Sequence, residues 1–239
     1  MSKANRAAQH TWIEALQQPG CALCRLAERS SQRYIATLLD EAVMDVAHRD
    51  TWRAARGLCP WHAPVALQTP QSASSVALLY ADVLRHDLMQ LAALTVPVPS
   101  RWGWRSRRTL RQRLQAWLRT WSQAPPCPVC VLWQTQECLY VQTLLNAWPD
   151  AAMVHAFTAS AGLCWAHTRR LVERGQQHPH LQAVLAVQQA HLQRLRGELA
   201  EFIRKQDYRF AREAYGPEAD AWRRVVALYG APSGEQRED

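Results

Sequence analysis

The sequence lacks most of the features that assign a chain to a known functional class. No window reaches 18 apolar residues, so no segment is expected to cross a bilayer as a helix. The opening Met1-Ser2-Lys3-Ala4-Asn5-Arg6 leads into polar sequence and not into an apolar run of signal-peptide type. No stretch alternates with strand period, and no Asn-Gly pair marks a hairpin, which argues against a sheet. A phosphate loop, a nucleophile elbow and a dinucleotide fingerprint are all missing, so three large enzyme classes have no support. These absences lead to the expectation of a cytoplasmic, helical protein.

What is present is a globular composition. A chain of 239 residues, 48% hydrophobic and 20% charged, is long enough for one large domain or two small ones with a real core. The formal charge of +8 permits a polyanionic partner without establishing one.

The cysteines carry the most information. Cys21-Ala22-Leu23-Cys24 is followed by Gly57-Leu58-Cys59-Pro60-Trp61-His62. The same order returns as Cys127-Pro128-Val129-Cys130 and Gly162-Leu163-Cys164-Trp165-Ala166-His167. The two copies are offset by 106 residues at the first pair and 105 at the second, which reads as a tandem duplication. In a reducing compartment such pairs are metal ligands or redox thiols before they are disulfides. Residues three apart share a helix face, so each pair can reach one ion. A helix N-terminus favours the thiolate, and proline after Cys59 and Cys127 suits a first helical position.

Taken in chain order, the ligands group as Cys21, Cys24, Cys59 and His62 on one ion, and Cys127, Cys130, Cys164 and His167 on a second. Cys₃His with paired spacing is a structural zinc set whose four protein ligands close the shell. The same thiolates could instead hold an iron–sulfur cluster. They could also act as a Cys-x-x-Cys thiol oxidoreductase, although that leaves the Cys-x-x-His pairs unexplained; buried core cysteines are the plainest alternative. Cys138 is expected in the core. His86 and His191, each 24 residues after a site histidine, read as core or surface histidines before ligands. His178-Pro179-His180 is too short a tract to assign.

The expected fold is all-α, with two pseudo-repeated four-helix lobes, each with a Cys₃His site, joined by a basic amphipathic helix. The corresponding divisions are residues 1–100, a connector at 101–126, residues 127–205 and a tail at 206–239. Helices are expected at 21–39, from a cap at Asp40 to Arg56, from Cys59-Pro60, and over 75–94. In the second copy they fall at 127–147, from Pro149-Asp150 toward Gly162, at 164–174 and from His180 to about Lys205, with a last helix over 217–228. In the connector Leu110, Leu114, Trp117, Leu118 and Trp121 form one stripe. Its arginines, Arg101, Arg105, Arg107, Arg108, Arg111, Arg113 and Arg119, together with Trp102 and Trp104, allow an anionic membrane surface or nucleic acid as partner. The plainer reading buries the stripe against the protein.

The duplicated set, with the tail Asp207-Tyr208-Arg209-Phe210, Glu213, Gly216, Glu218, Asp220 and Trp222, resembles a family of uncharacterised bacterial proteins carrying this Cys/His pattern. The resemblance implies a bacterial, cytosolic, metal-binding protein and supplies no reaction. The tail's acidic residues are expected to fold back and pair with arginines, and a small ligand near Tyr208 and Arg209 remains an option.

Overall fold

The computed structural model describes residues 3–95, 103–210 and 212–230, and among these every regular element is helical. The elements are α1 (Lys3–Leu16), α2 (Ala22–Asp40), α3 (Val46–Ala54), α4 (Ala63–Gln68), α5 (Ala73–Leu94), α6 (Gly103–Ser122), α7 (Pro128–Ala147), α8 (Ala151–Ala159), α9 (Trp165–Gly175), α10 (Leu181–Lys205) and α11 (Ala221–Gly230), the last preceded by a 3₁₀ turn at Pro217–Asp220.

Most expected boundaries hold within a few residues, and the differences have local causes. Asp40 ends α2 and does not start α3. The cap of α3 is Asp45, whose side chain accepts the His48 amide at 2.9 Å, the bond an N-cap aspartate is suited to make. Cys59-Pro60 lies in a turn, and α4 begins only at Ala63, with His62 at its N-cap.

The chain forms two compact units, and they are not consecutive lobes. One comprises Met1–Arg29 and Trp133–Asp239; the other comprises Ser30–Leu132. The boundaries fall inside α2 and α7.

In the first unit the core gathers Trp12, Leu16, Leu23, Leu26, Leu144, Leu145, Met153, Phe157, Leu163, Leu171 and Val184, all buried. α1 packs on α8, and α11 on α10. Trp148 meets Phe157 edge-on, with centroids 5.6 Å apart. The tail folds back as expected in part: Glu218 pairs with Lys205 at 2.6 Å, Glu213 pairs with Arg204, and Arg224 pairs with Glu198 of α10 at 2.6 Å. Tyr208 is 87% exposed, and Arg209 is bound to Asp207.

The second unit packs α3 and α6 on α5. Its core holds Ile35, Leu38, Leu39, Trp52, Leu79 and Val83, with Trp52 edge-on to Tyr80.

Candidate metal centres

Six cysteines and two histidines gather into two clusters, in each of which the four ligand atoms lie within 4.8 Å of one another. The grouping differs from chain order. Cys21 and Cys24 meet Cys164 and His167 in the first unit, whereas Cys59 and His62 meet Cys127 and Cys130 in the second. The expected sets, Cys21/Cys24/Cys59/His62 and Cys127/Cys130/Cys164/His167, are therefore corrected to crossed sets. The reason is tertiary: spacing fixes the partner within a pair, but helix packing chooses which pair meets which.

Three of the four pairs begin at the start of a helix, and the fourth, Cys59 and His62, ends at one, with His62 the N-cap of α4. Cys21 directly precedes α2 and Cys127 directly precedes α7; Cys164 is the N-cap of α9. The Cys127 carbonyl accepts from the Cys130 amide at 2.8 Å, and the Cys59 carbonyl accepts from the His62 amide at 3.0 Å. These turns bring the two ligand side chains of each pair to one side, and a helix N-terminus beside them favours thiolate.

The Gly-Leu-Cys context also has a structural cause. Gly162 has φ +74°, and a Cβ there would lie 2.7 Å from Gln188 Oε1 and 2.8 Å from the His191 ring. That close approach lets the Gln188 side chain of α10 bond both backbone groups of Leu163, accepting from its amide at 2.8 Å and donating to its carbonyl at 2.8 Å. Leu163 itself is buried in the core, so Cys164 leaves a clamped loop. Gly57 has φ +85° and packs against Tyr80, whose hydroxyl accepts from the Leu58 amide at 3.2 Å.

In the first centre His167 Nδ1 faces the sulfurs of Cys21, Cys24 and Cys164 at 3.4, 3.2 and 3.1 Å, and Cys24 Sγ lies 3.7 Å from Cys164 Sγ. Its Nε2 is 2.8 Å from Glu137 Oε1. Glu137 is buried, accepts the Trp133 indole N–H, and has Arg170 Nε 3.6 Å from its other oxygen. A carboxylate on the outer nitrogen of a histidine fixes its tautomer and leaves the inner nitrogen free to donate a lone pair. Sequence reasoning missed Glu137. Its signal was present: it is the sole charged residue of α7.

In the second centre His62 Nδ1 faces Cys59, Cys130 and Cys127 at 3.3, 3.6 and 3.8 Å, and Cys59 Sγ lies 3.6 Å from Cys130 Sγ. Ser31, the residue 106 positions before Glu137, is buried at 1% exposure.

Crowded thiols conflict electrostatically. Burial works against ionising Cys21, but hydrogen bonding with Cys164, Cys24 and His167 holds its thiol well below the usual range. Cys164 and Cys21 in turn push Cys24 far up. Burial opposes protonation of His167, yet Cys164, Cys21 and Glu137 hold its pKa well above the ordinary value. In the second centre Cys127 and Cys130 pull the Cys59 thiol strongly down. Three neighbouring thiols cannot all ionise unaided, and a dication among them removes the conflict. Either cluster could therefore hold a metal ion.

The other candidates stand apart. Cys138 is half-buried and outside both clusters. His86 contacts Gln90, and His191 bonds the Phe157 carbonyl at 3.0 Å. His178 and His180 pair with each other. Arg111, Arg113 and Arg119 are exposed on α6. Arg101 and Trp102 lie outside the described residues, as do the side chains of Trp104, Arg105, Arg107 and Arg108.

A family model described as "Family of unknown function (DUF6062)" matches residues 13–234. The chain belongs to this family. The match spans both centres and most of the tail, so the two clusters lie within the family's own region. No curated protein and no solved structure matches the chain.

Proposed function

We propose that the protein is a metal-stabilised helical module for binding or regulation, with one structural zinc ion in each Cys₃His centre. The observation that carries the reading is the fit of the donor distances to a single tetrahedral ion. Zinc bond lengths of about 2.3 Å to sulfur and 2.0–2.1 Å to nitrogen place sulfurs about 3.8 Å apart and sulfur and nitrogen about 3.5 Å apart. One sulfur pair in each centre, Cys24–Cys164 and Cys59–Cys130, is 3.7 and 3.6 Å apart, the separations from nitrogen run from 3.1 to 3.8 Å, and all four donors of each centre lie within 4.8 Å of one another.

Cys21, Cys24, Cys164 and His167 would hold one ion, with Glu137 supporting the histidine, and Cys59, His62, Cys127 and Cys130 the other. Four protein ligands leave no open position, so the ion contributes architecture, not a reactive water. Four donors within 4.8 Å suit one ion better than an iron–sulfur cluster, whose ligands must surround several atoms. All seven cysteines are free thiols, which suits a reducing, cytoplasmic setting. The matched spacings support an origin by internal duplication.

Metal analysis with a visible spectrum on anaerobically purified protein tests this. Two zinc ions per chain in a colourless solution is the expected result. Iron with sulfide and visible absorption would replace zinc with a cluster, and metal-free protein whose cysteine pairs cycle between dithiol and disulfide would favour the redox reading. Chelation should lower helicity and melting temperature, because structural zinc binding is coupled to folding.

A further inference from the structure

Helix α6 contains six arginines and no acidic residue in twenty positions. Its apolar stripe was expected to face the protein, but much of it faces outward. Leu114, Leu118 and Trp121 are 42%, 58% and 47% exposed, at the i, i+4, i+7 spacing of one helix face. Beside them α5 presents Leu84, Leu88 and Leu91 at the same spacing, 60%, 56% and 49% exposed. A groove of about 180 Å³ runs between the two helices, lined by Leu84, Leu88, Leu91, Trp117 and Trp121. Monomers rarely leave so many large apolar side chains together in water.

The unpaired charge around this patch on α5 and α6 is basic. At 100° per residue Arg111 and Arg113 flank the stripe of α6 on either side, and Arg119 lies behind it. The acidic groups on α5 are already neutralised. Asp82 has Arg53, Arg85 and Arg49 at 3.0, 3.5 and 3.8 Å, and Asp87 is paired with Arg56, whose guanidinium also lies 3.8 Å from the Trp121 ring centre.

We propose that the α5–α6 face docks on an anionic lipid surface. Charge complementarity selects a negative partner. The six aliphatic and aromatic side chains at the surface select lipid over nucleic acid, because leucines have no favourable place among phosphates and base edges, whereas the acyl boundary accepts them. Arginines at the flanks of the stripe reach headgroups while leucine and tryptophan enter beneath them. The docking does not depend on the metal centres.

The test is cosedimentation of the full metal-bound protein with phosphatidylcholine vesicles, with and without phosphatidylglycerol. Binding is expected only when phosphatidylglycerol is present, and it weakens as salt is raised. The combined variant Arg111→Gln, Arg113→Gln should lower partitioning by about 25-fold, from about fivefold per arginine. Leu114→Ser with Leu118→Ser should lower it by about tenfold or more. These positions are exposed, so helicity and metal content should match the parent protein and separate lost docking from lost folding. The proposal is overturned if the parent protein ignores anionic vesicles, or if either variant binds them equally well. Binding to single-stranded DNA without vesicle binding would assign the face to nucleic acid. A dimer in light scattering that dissociates on Leu114→Ser with Leu118→Ser, without vesicle binding, would assign it to a second copy.

Discussion

The crossed grouping of ligands can be tested by pairs of substitutions that exchange their outcomes. Cys24→Ser with Cys164→Ser removes two ligands from one centre and leaves Cys59, His62, Cys127 and Cys130 complete. That variant should retain one tightly held ion per chain. Cys24→Ser with Cys59→Ser removes one ligand from each centre and should retain no complete Cys₃His set. Grouping in chain order predicts the opposite pair of results. The energetic scale follows from the loops each centre closes. Cys24 and Cys164 are 140 residues apart, and Cys59 and Cys130 are 71 apart. Treated as cross-links, these ties restrict the unfolded chain by about 5 and about 4 kcal/mol respectively. Either figure is a large share of the ~5–15 kcal/mol that separates folded from unfolded domains. The assay is metal per chain by mass spectrometry after gel filtration, with thermal unfolding as the second readout. One ion on Cys24→Ser/Cys59→Ser together with none on Cys24→Ser/Cys164→Ser would refute the reasoning.

Other perturbations address the supports around the centres. Glu137→Ala should weaken metal binding about 10–100-fold in the first centre by freeing the His167 ring, and leave the second unchanged; chelator competition resolves the two. Gly162→Ala should destabilise by about 1–3 kcal/mol, since it places a side chain at positive φ against Gln188 and His191. Gly20→Ala, also at positive φ but with nothing near its Cβ, should lower the melting temperature less. The Gly216 amide and the Lys205 ammonium hold the Glu218 carboxyl down at about 2, against an ordinary 4.5. Its folded pKa is depressed, so its contribution is complete above about pH 4.5 and disappears as pH falls through about 2. Glu218→Gln should flatten that part of the acid-unfolding curve, and an unchanged curve would mean that the tail contact contributes nothing.

The helices were legible because their signals are local. The proline after Cys127, the cap at Asp150 and the glycines at 162 and 175 act within one or two turns, and they placed α7 and α9 within a residue and α8 within three. Asp40 misled for the same reason: it is a competent cap residue, but the chain makes its turn at 41–45 and uses Asp45 instead. The eight residues that cluster were legible because i, i+3 spacing is also local. Their grouping was not, because the two Cys-x-x-Cys pairs and the two Cys-x-x-His pairs are interchangeable by spacing. Nothing near Cys21 distinguishes His62 from His167; the decision lies in the core that α2 shares with α8 and α9 through Leu23, Phe157 and Leu171. Glu137 was visible as a lone charge on an apolar helix, yet its role needs a histidine 30 residues away in sequence. The stripe on α6 was read correctly as a stripe, and periodicity alone cannot say which side of it faces water.

The nesting of the centres bears on how the chain is made. The span from Cys59 to Cys130 lies wholly inside the span from Cys21 to His167. On the ribosome the inner set is therefore complete first, and His167 follows 37 residues after Cys130, roughly 2–7 s later at ordinary elongation rates. Well before either moment, Cys21, Cys24, Cys59 and His62 have all emerged. They form a full complement of four donors from which no folded centre is built. On the zinc reading proposed above, an ion captured at that stage would have to be surrendered by thiolate exchange as Cys127 and Cys130 arrive. On that same reading, pairing depends on synthesis and metal supply as well as on the finished fold, and abrupt metal loading during translation is expected to trap the wrong partners.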